Sequence, residues 1–100
     1  MPAMVEEREG SSLVRLKGVI DITSAAETKN VLLYALTSNK AIRLALEGAT
    51  ELDITAMQLL YAAERDAAKA GIRFALEGSV PDEISAAMTA AGLVKFNFQQ

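Results

Sequence analysis

The chain contains no cysteine, no histidine and no tryptophan. Without cysteine there is no disulfide framework, no thiolate nucleophile and no thiolate-bound metal. Without histidine the commonest side-chain acid/base and the commonest transition-metal ligand are missing. Ser-His-Asp hydrolysis and histidine-bound zinc chemistry are thereby excluded, and any catalysis would have to run on carboxylates, lysine or a hydroxyl. Aromatics are few, three Phe and two Tyr, so a core has to be built from Leu, Ile, Val, Ala and Met. Basic clusters are absent too. Ten Lys and Arg stand singly among thirteen Asp and Glu, for a net charge of −3, whereas a nucleic-acid clamp concentrates cations to displace counterions from phosphates. No run approaches the ~20 apolar residues of a membrane helix. The stretch from Met1 to Glu9 is acidic and has no signal-peptide core. The expectation is a cytoplasmic protein without nucleic-acid binding or membrane insertion.

What is present fits a single packed domain over residues 1–100, since 51% of the residues are hydrophobic and this length holds one core. Ala3 to Glu7 and Leu13 to Ile20 read as two strands joined at Gly10-Ser11-Ser12, an antiparallel pair in which the second strand alternates and has one exposed face. After Asp21, the spacing Ser24-Ala25-Ala26-Glu27 matches a capping box opening a first helix to about Ser38, with Asn39 as its stop. Its wheel places Ala25, Lys29, Leu32 and Leu36 on the buried side. Ile42-Arg43-Leu44-Ala45-Leu46-Glu47-Gly48 then recurs thirty residues on as Ile72-Arg73-Phe74-Ala75-Leu76-Glu77-Gly78. Two such strands flanked by helices are the pattern of parallel βαβ units. Between them Thr55 to Ala70 predicts a strong helix burying Ala56, Leu59, Leu60, Ala63, Ala67 and Ala70, with Gly71 as its stop. A third helix starts at Pro81-Asp82-Glu83 and runs to Gly92. Leu93 to Phe98 alternates as a short terminal strand or docked tail. The fold class is therefore α/β, an open mixed sheet of four to five strands with three to four helices.

In such sheets functional sites gather outside the carboxyl ends of the strands. The longest junction there is Gly48 to Thr55. Thr55, with Gln58 three residues on, has the spacing of a helix capping box. Asp53 is either a helix cap or a solvated acid. Opposite the buried stripe the wheel collects Met57, Gln58, Tyr61, Arg65 and Ala68, and Met, Tyr and Arg together are enriched at protein interfaces. Incidental apolar residues on a solvent face are the alternative. Asp21, Glu47, Glu51, Glu77 and Asp82 form a prospective acidic rim, but their spacing matches no metal motif. No glycine-rich nucleotide fingerprint exists either. No cofactor is expected.

Leu52-Asp53-Ile54-Thr55-Ala56-Met57-Gln58-Leu59-Leu60 resembles the signature loop of STAS domains, the anti-sigma factor antagonist family, in which an apolar residue and Asp precede two hydroxyl residues, Gly and a leucine-rich helix. Gly18-Val19-Ile20-Asp21 followed by Ser24-Ala25 is similar to the family's earlier Gly-x-Leu-Asp strand exit, and Ala91-Gly92-Leu93-Val94-Lys95-Phe96 resembles its closing Thr-Gly-Leu-x-x-x-Phe pattern. The resemblance spans about Leu13 to Phe98. It implies a STAS-like fold and a non-catalytic partner-switching protein that binds an anti-sigma factor/serine-threonine protein kinase. Phosphorylation would release that partner and a cognate phosphatase would reset the switch. Carried over by position, Thr55 is the phosphoacceptor, Asp53, Ile54 and Ala56 flank it, and Met57, Gln58, Tyr61, Arg65 and Asp21 meet the partner. Two positions depart from the pattern. Ile54 replaces the first hydroxyl residue and Ala56 replaces Gly, changes that a binding module tolerates better than a phospho-switch does. The resemblance also admits a constitutive adaptor subunit of a lipid-transport ABC-type complex, without a phosphate cycle.

Overall fold

The computed structural model describes residues 2–38 and 40–90. The chain opens with a hairpin of β1 (Ala3–Arg8) and β2 (Ser11–Leu16). Arg8 pairs with Ser11 across a two-residue loop, Glu9-Gly10. Gly10 takes φ +81° there, the conformation that tight hairpins require and that side-chain-bearing residues avoid. Ser11 and Ser12 thus belong to the strand and not to the turn.

The expected single strand from Leu13 to Ile20 is two. Gly18, at φ +71°, bends the chain after Leu16, and β3 (Gly18–Ile20) leaves the main sheet. It pairs in parallel with β5 (Ala49–Leu52), with Ile20 opposite Leu52 and a bulge between Gly18 and Val19. The first half of the expected Gly48–Thr55 loop is hence ordered against the first strand exit. β4 (Ala41–Ala45) and β6 (Phe74–Leu76) complete a four-stranded sheet of order β1-β2-β4-β6, antiparallel at the first pair and parallel thereafter. Among the described residues the expected open mixed sheet has four strands, and β3 and β5 form a second, two-stranded sheet that was not expected, because the bend at Gly18 splits what a linear pattern reads as continuous.

The internal echo is structural. β4 and β6 are adjacent parallel strands, but Ile42 lies opposite Phe74 and not its repeat counterpart Ile72. A shift of two residues preserves the face that each side chain takes, so Ile42, Leu44, Phe74 and Leu76 all point to the same core.

Helices α1 (Ala25–Thr37) and α2 (Ile54–Lys69) pack against each other, and α3 (Asp82–Ala90) packs on β5. On α1 the buried stripe is Thr28, Leu32 and Ala35. Lys29, expected on the buried side, is exposed, since Thr28 rather than Lys29 faces the sheet. On α2 the buried residues are Ala56, Met57, Leu60, Ala63 and Ala67, while Leu59 is half-buried and Ala70 exposed. Pro81 stands immediately before α3, as expected of a residue without an N–H to leave unpaired, and Ile84 and Met88 anchor the helix in the core. Asn39, Ala91, Gly92 and the Leu93–Phe98 segment lie outside the described residues.

The sheet's second face is charged at its surface. Leu13 is fully buried there, contrary to the expectation that this side of β2 is exposed, and register sets it between Glu6 and Arg43. Arg8 from edge strand β1 reaches Glu77, the residue after the opposite edge strand β6, at 3.0 Å. Glu77 also meets Arg43 at 3.4 Å. Long stems carrying paired ends cover apolar surface effectively.

Candidate functional site

The rim of interest is built by the β3–β5 ribbon. Asp53 N–H donates to the Ile20 carbonyl at 3.0 Å, so the exits of the two strands stay side by side as each enters a helical turn. At the first exit Asp21 caps a one-turn 3-10 helix, Ile22–Ser24. Its Oδ1 accepts from the Thr23 hydroxyl at 2.6 Å and the Thr23 amide at 3.0 Å. The Ser24 hydroxyl accepts in return from the Asp21 amide at 3.1 Å. The capping box is therefore Asp21 with Ser24, one turn earlier than the expected Ser24 with Glu27. Glu27 instead accepts from the Ala3 amide at 3.0 Å, tying α1 to the first strand. Hydrogen bonds from the Thr23 hydroxyl, then the Thr23 amide, hold the Asp21 carboxyl below its ordinary range.

At the second exit Asp53 is the N-cap of α2, its Oδ1 accepting from the Ala56 amide at 2.9 Å. Of the two readings for Asp53 this is the capping one. Thr55, by contrast, lies one residue inside the helix and does not cap it, so the Thr55–Gln58 capping box is not formed. With Asp53 already satisfying the first turn, the Thr55 hydroxyl is not committed to that task. Thr55 is half-buried, and Ile54 before it is 52% exposed. Ala56 is buried, placing a methyl where the helix meets the core.

Gln58, Tyr61, Arg65 and Ala68 are exposed, as the wheel indicated. The Arg65 guanidinium lies 5.9 Å from the Tyr61 ring centre, a cation–π arrangement. Met57 is the exception. It is only 5% exposed and belongs to the same buried cluster as Leu52, Ile84 and Met88. The buried stripe of α2 is wide enough to take in both Ala56 and Met57, so Met57 drops out of the surface group. Two residues join it that the pattern did not single out. Val19 is 48% exposed and Ile22 is 71% exposed. The available signals were that Val19 alternates with the buried Ile20 in β3 and that Ile22 follows the capping Asp21.

The acids do not converge. Glu77 is held by Arg8 and Arg43 on the other sheet face. Glu47 accepts from the Ser79 hydroxyl at 3.2 Å. Among the described residues no three acids are grouped to hold a metal ion. No described helix is long and apolar enough to cross a membrane.

Residues 3–98 match the family model described as "Mlab, STAS domain". The chain belongs to the STAS family. Among solved structures, this STAS domain is similar to the anti-sigma factor antagonist SpoIIAA in its unphosphorylated form, with a TM-score of 0.72 at 16% identity over 96% of this chain and 84% of that one. An anti-sigma factor antagonist from Mycobacterium paratuberculosis gives 0.73 at 20% identity over 93% of this chain and 79% of that one. The structure of Mglu gives 0.68 at 23% identity over 81% of this chain, which spans 20% of that longer protein. At these identities the likeness is one of fold. No curated protein matches by sequence.

Proposed function

We propose that this STAS domain is a non-catalytic cytoplasmic protein-binding module of the anti-sigma factor antagonist type. Its partner docks on the rim formed by Val19, Ile22, Ile54, Gln58, Tyr61 and Arg65. The observation that carries this reading is the exposure of three branched aliphatic side chains, Val19, Ile22 and Ile54, at two strand exits that the β3–β5 ribbon holds together. Exposed apolar residues grouped beside Tyr and Arg have the make-up of a docking site. Thr55 lies within that rim and is the phosphoacceptor in this reading. A phosphate adds about −1.5 to −2 charges. The α2 N-terminus favours that charge, while an apolar interface around Ile54 and Ile22 does not, so modification releases the partner. The partner is an anti-sigma factor with serine-threonine kinase activity, and a cognate phosphatase restores binding.

Incubation with the cognate kinase and ATP followed by mass spectrometry tests the switch, with phosphate expected on Thr55 and none on Thr55→Ala. Ile54→Asp should abolish partner binding while leaving the unfolding midpoint near that of the parent. Thr55→Asp should weaken binding.

The exposed Ile54 favours a second reading, a constitutive adaptor subunit of a lipid-transport ABC-type complex. A β-branched apolar residue next to Thr55 serves permanent contact better than access by a kinase. Co-purification with a membrane ATPase, unchanged by Thr55→Ala and Thr55→Asp but lost in Ile54→Asp, would select it.

A further inference from the structure

Away from the rim, α1 and α2 enclose a shallow groove lined by Lys29, Leu32, Leu33 and Leu36 on α1 and by Leu59, Ala62, Ala63 and Asp66 on α2. The two sets have the same spacing, i, i+3, i+4 and i+7, which is one stripe of a helix. Both helices leave the paired ends of β3 and β5 and return to the adjacent parallel strands β4 and β6, so they run in the same direction. Lys29 therefore sits on α1 at the start of the groove and Asp66 on α2 at its finish, diagonal corners of an otherwise apolar floor. Leu33 is 46% exposed and Leu36 half-buried. Neither Lys29 nor Asp66 has an ion-pair partner among the described residues.

We infer that this groove is the interface of a homodimer. Its occupant is a second copy of the chain, because the charge pattern is complementary to itself. A two-fold axis lying in the interface, through the groove centre and at right angles to the Lys29–Asp66 line, sets each lysine opposite the partner's Asp66. The leucines then face one another between the two ion pairs. Such an isologous contact uses one patch twice. On α2 the groove stripe, Leu59, Ala62 and Asp66, is separate from the stripe Ile54, Gln58, Tyr61 and Arg65, so dimerisation leaves the docking rim open.

Sedimentation velocity of the full chain from about 10 µM to about 1 mM spans the affinities expected of a modest interface. Concentration-dependent dimers are expected. Leu33→Asp should be monomeric throughout, with an unchanged circular-dichroism spectrum. Lys29→Asp and Asp66→Lys should each weaken association by roughly tenfold, and the double reversal Lys29→Asp/Asp66→Lys should restore it. A chain that remains monomeric across the range, or a dimer indifferent to the single reversals, overturns the inference. Dimers lost in the single reversals and not regained in the double one overturn the assigned pairing and with it the symmetric groove contact.

Discussion

At the residue scale two aspartates do related work at neighbouring strand exits. Asp53 holds the first turn of α2 through the Ala56 amide, so Asp53→Ala should cost about 1 kcal/mol, the usual worth of an N-cap. Asp53→Asn should retain most of it, and urea unfolding reads both. Asp21 and Glu7 connect stability to pH. The Thr23 hydroxyl lowers the Asp21 carboxyl. Glu7 is lowered by Lys40, whose Nζ is 2.7 Å away, and by the Ser12 hydroxyl at 3.0 Å. A carboxyl whose folded value lies below its unfolded one stabilises the fold above the unfolded value. That contribution disappears as pH falls through the folded value. Urea midpoints should therefore drop on acidification from neutrality, most steeply below the ordinary values of 4.5 for Glu and 3.8 for Asp. Asp21→Asn and Glu7→Gln should each start lower at neutral pH and lose less. A wild-type midpoint that stays level down to about pH 3 would contradict this. Thr28 is the residue without an account: it is fully buried, and among the described residues its hydroxyl has no hydrogen-bond partner.

At the element scale the bend at Gly18 decides where the site is. The residue adopts φ +71° with open space around a would-be Cβ, so a side chain there meets backbone strain and no collision. Gly18→Ala should cost about 1–2 kcal/mol, the left-handed penalty for an L-residue. It should also perturb partner binding more than that loss implies, because β3 carries Val19 and leads into Ile22. Equal binding by the folded variant, measured by calorimetry, would separate the bend from the rim. Helix α2 shows how an element's surroundings reassign its faces. Leu60, Ala63 and Ala67 are buried as their periodicity predicts, while Met57, at the edge of that stripe, joins the same buried cluster and is lost to the surface.

At the scale of the whole molecule, the helices and the main core leave the other face of the four-stranded sheet to a charged cover. Leu13 is as buried there as Leu44 is in the main core. Leu13→Ala should accordingly cost about 2–5 kcal/mol, in the range of core truncations, and not the few tenths of an exposed site. Urea denaturation of Leu13→Ala and Leu44→Ala side by side checks it. The sequence by itself determined the helices, the hairpin, the parallel strands of the Ile42 and Ile72 repeats, and the place of the signature loop, because alternation, helical periodicity and capping chemistry act over a few residues. It also marked Asp53, Thr55, Gln58, Tyr61 and Arg65 as a local group. Only the tertiary structure decided that β3 and β5 form their own ribbon, that Asp53 rather than Thr55 caps α2, that Met57 is internal and that Val19 and Ile22 are exposed. The ribbon depends on contacts between segments some thirty residues apart, and a local pattern specifies which side chains prefer burial but not which neighbour arrives to bury them.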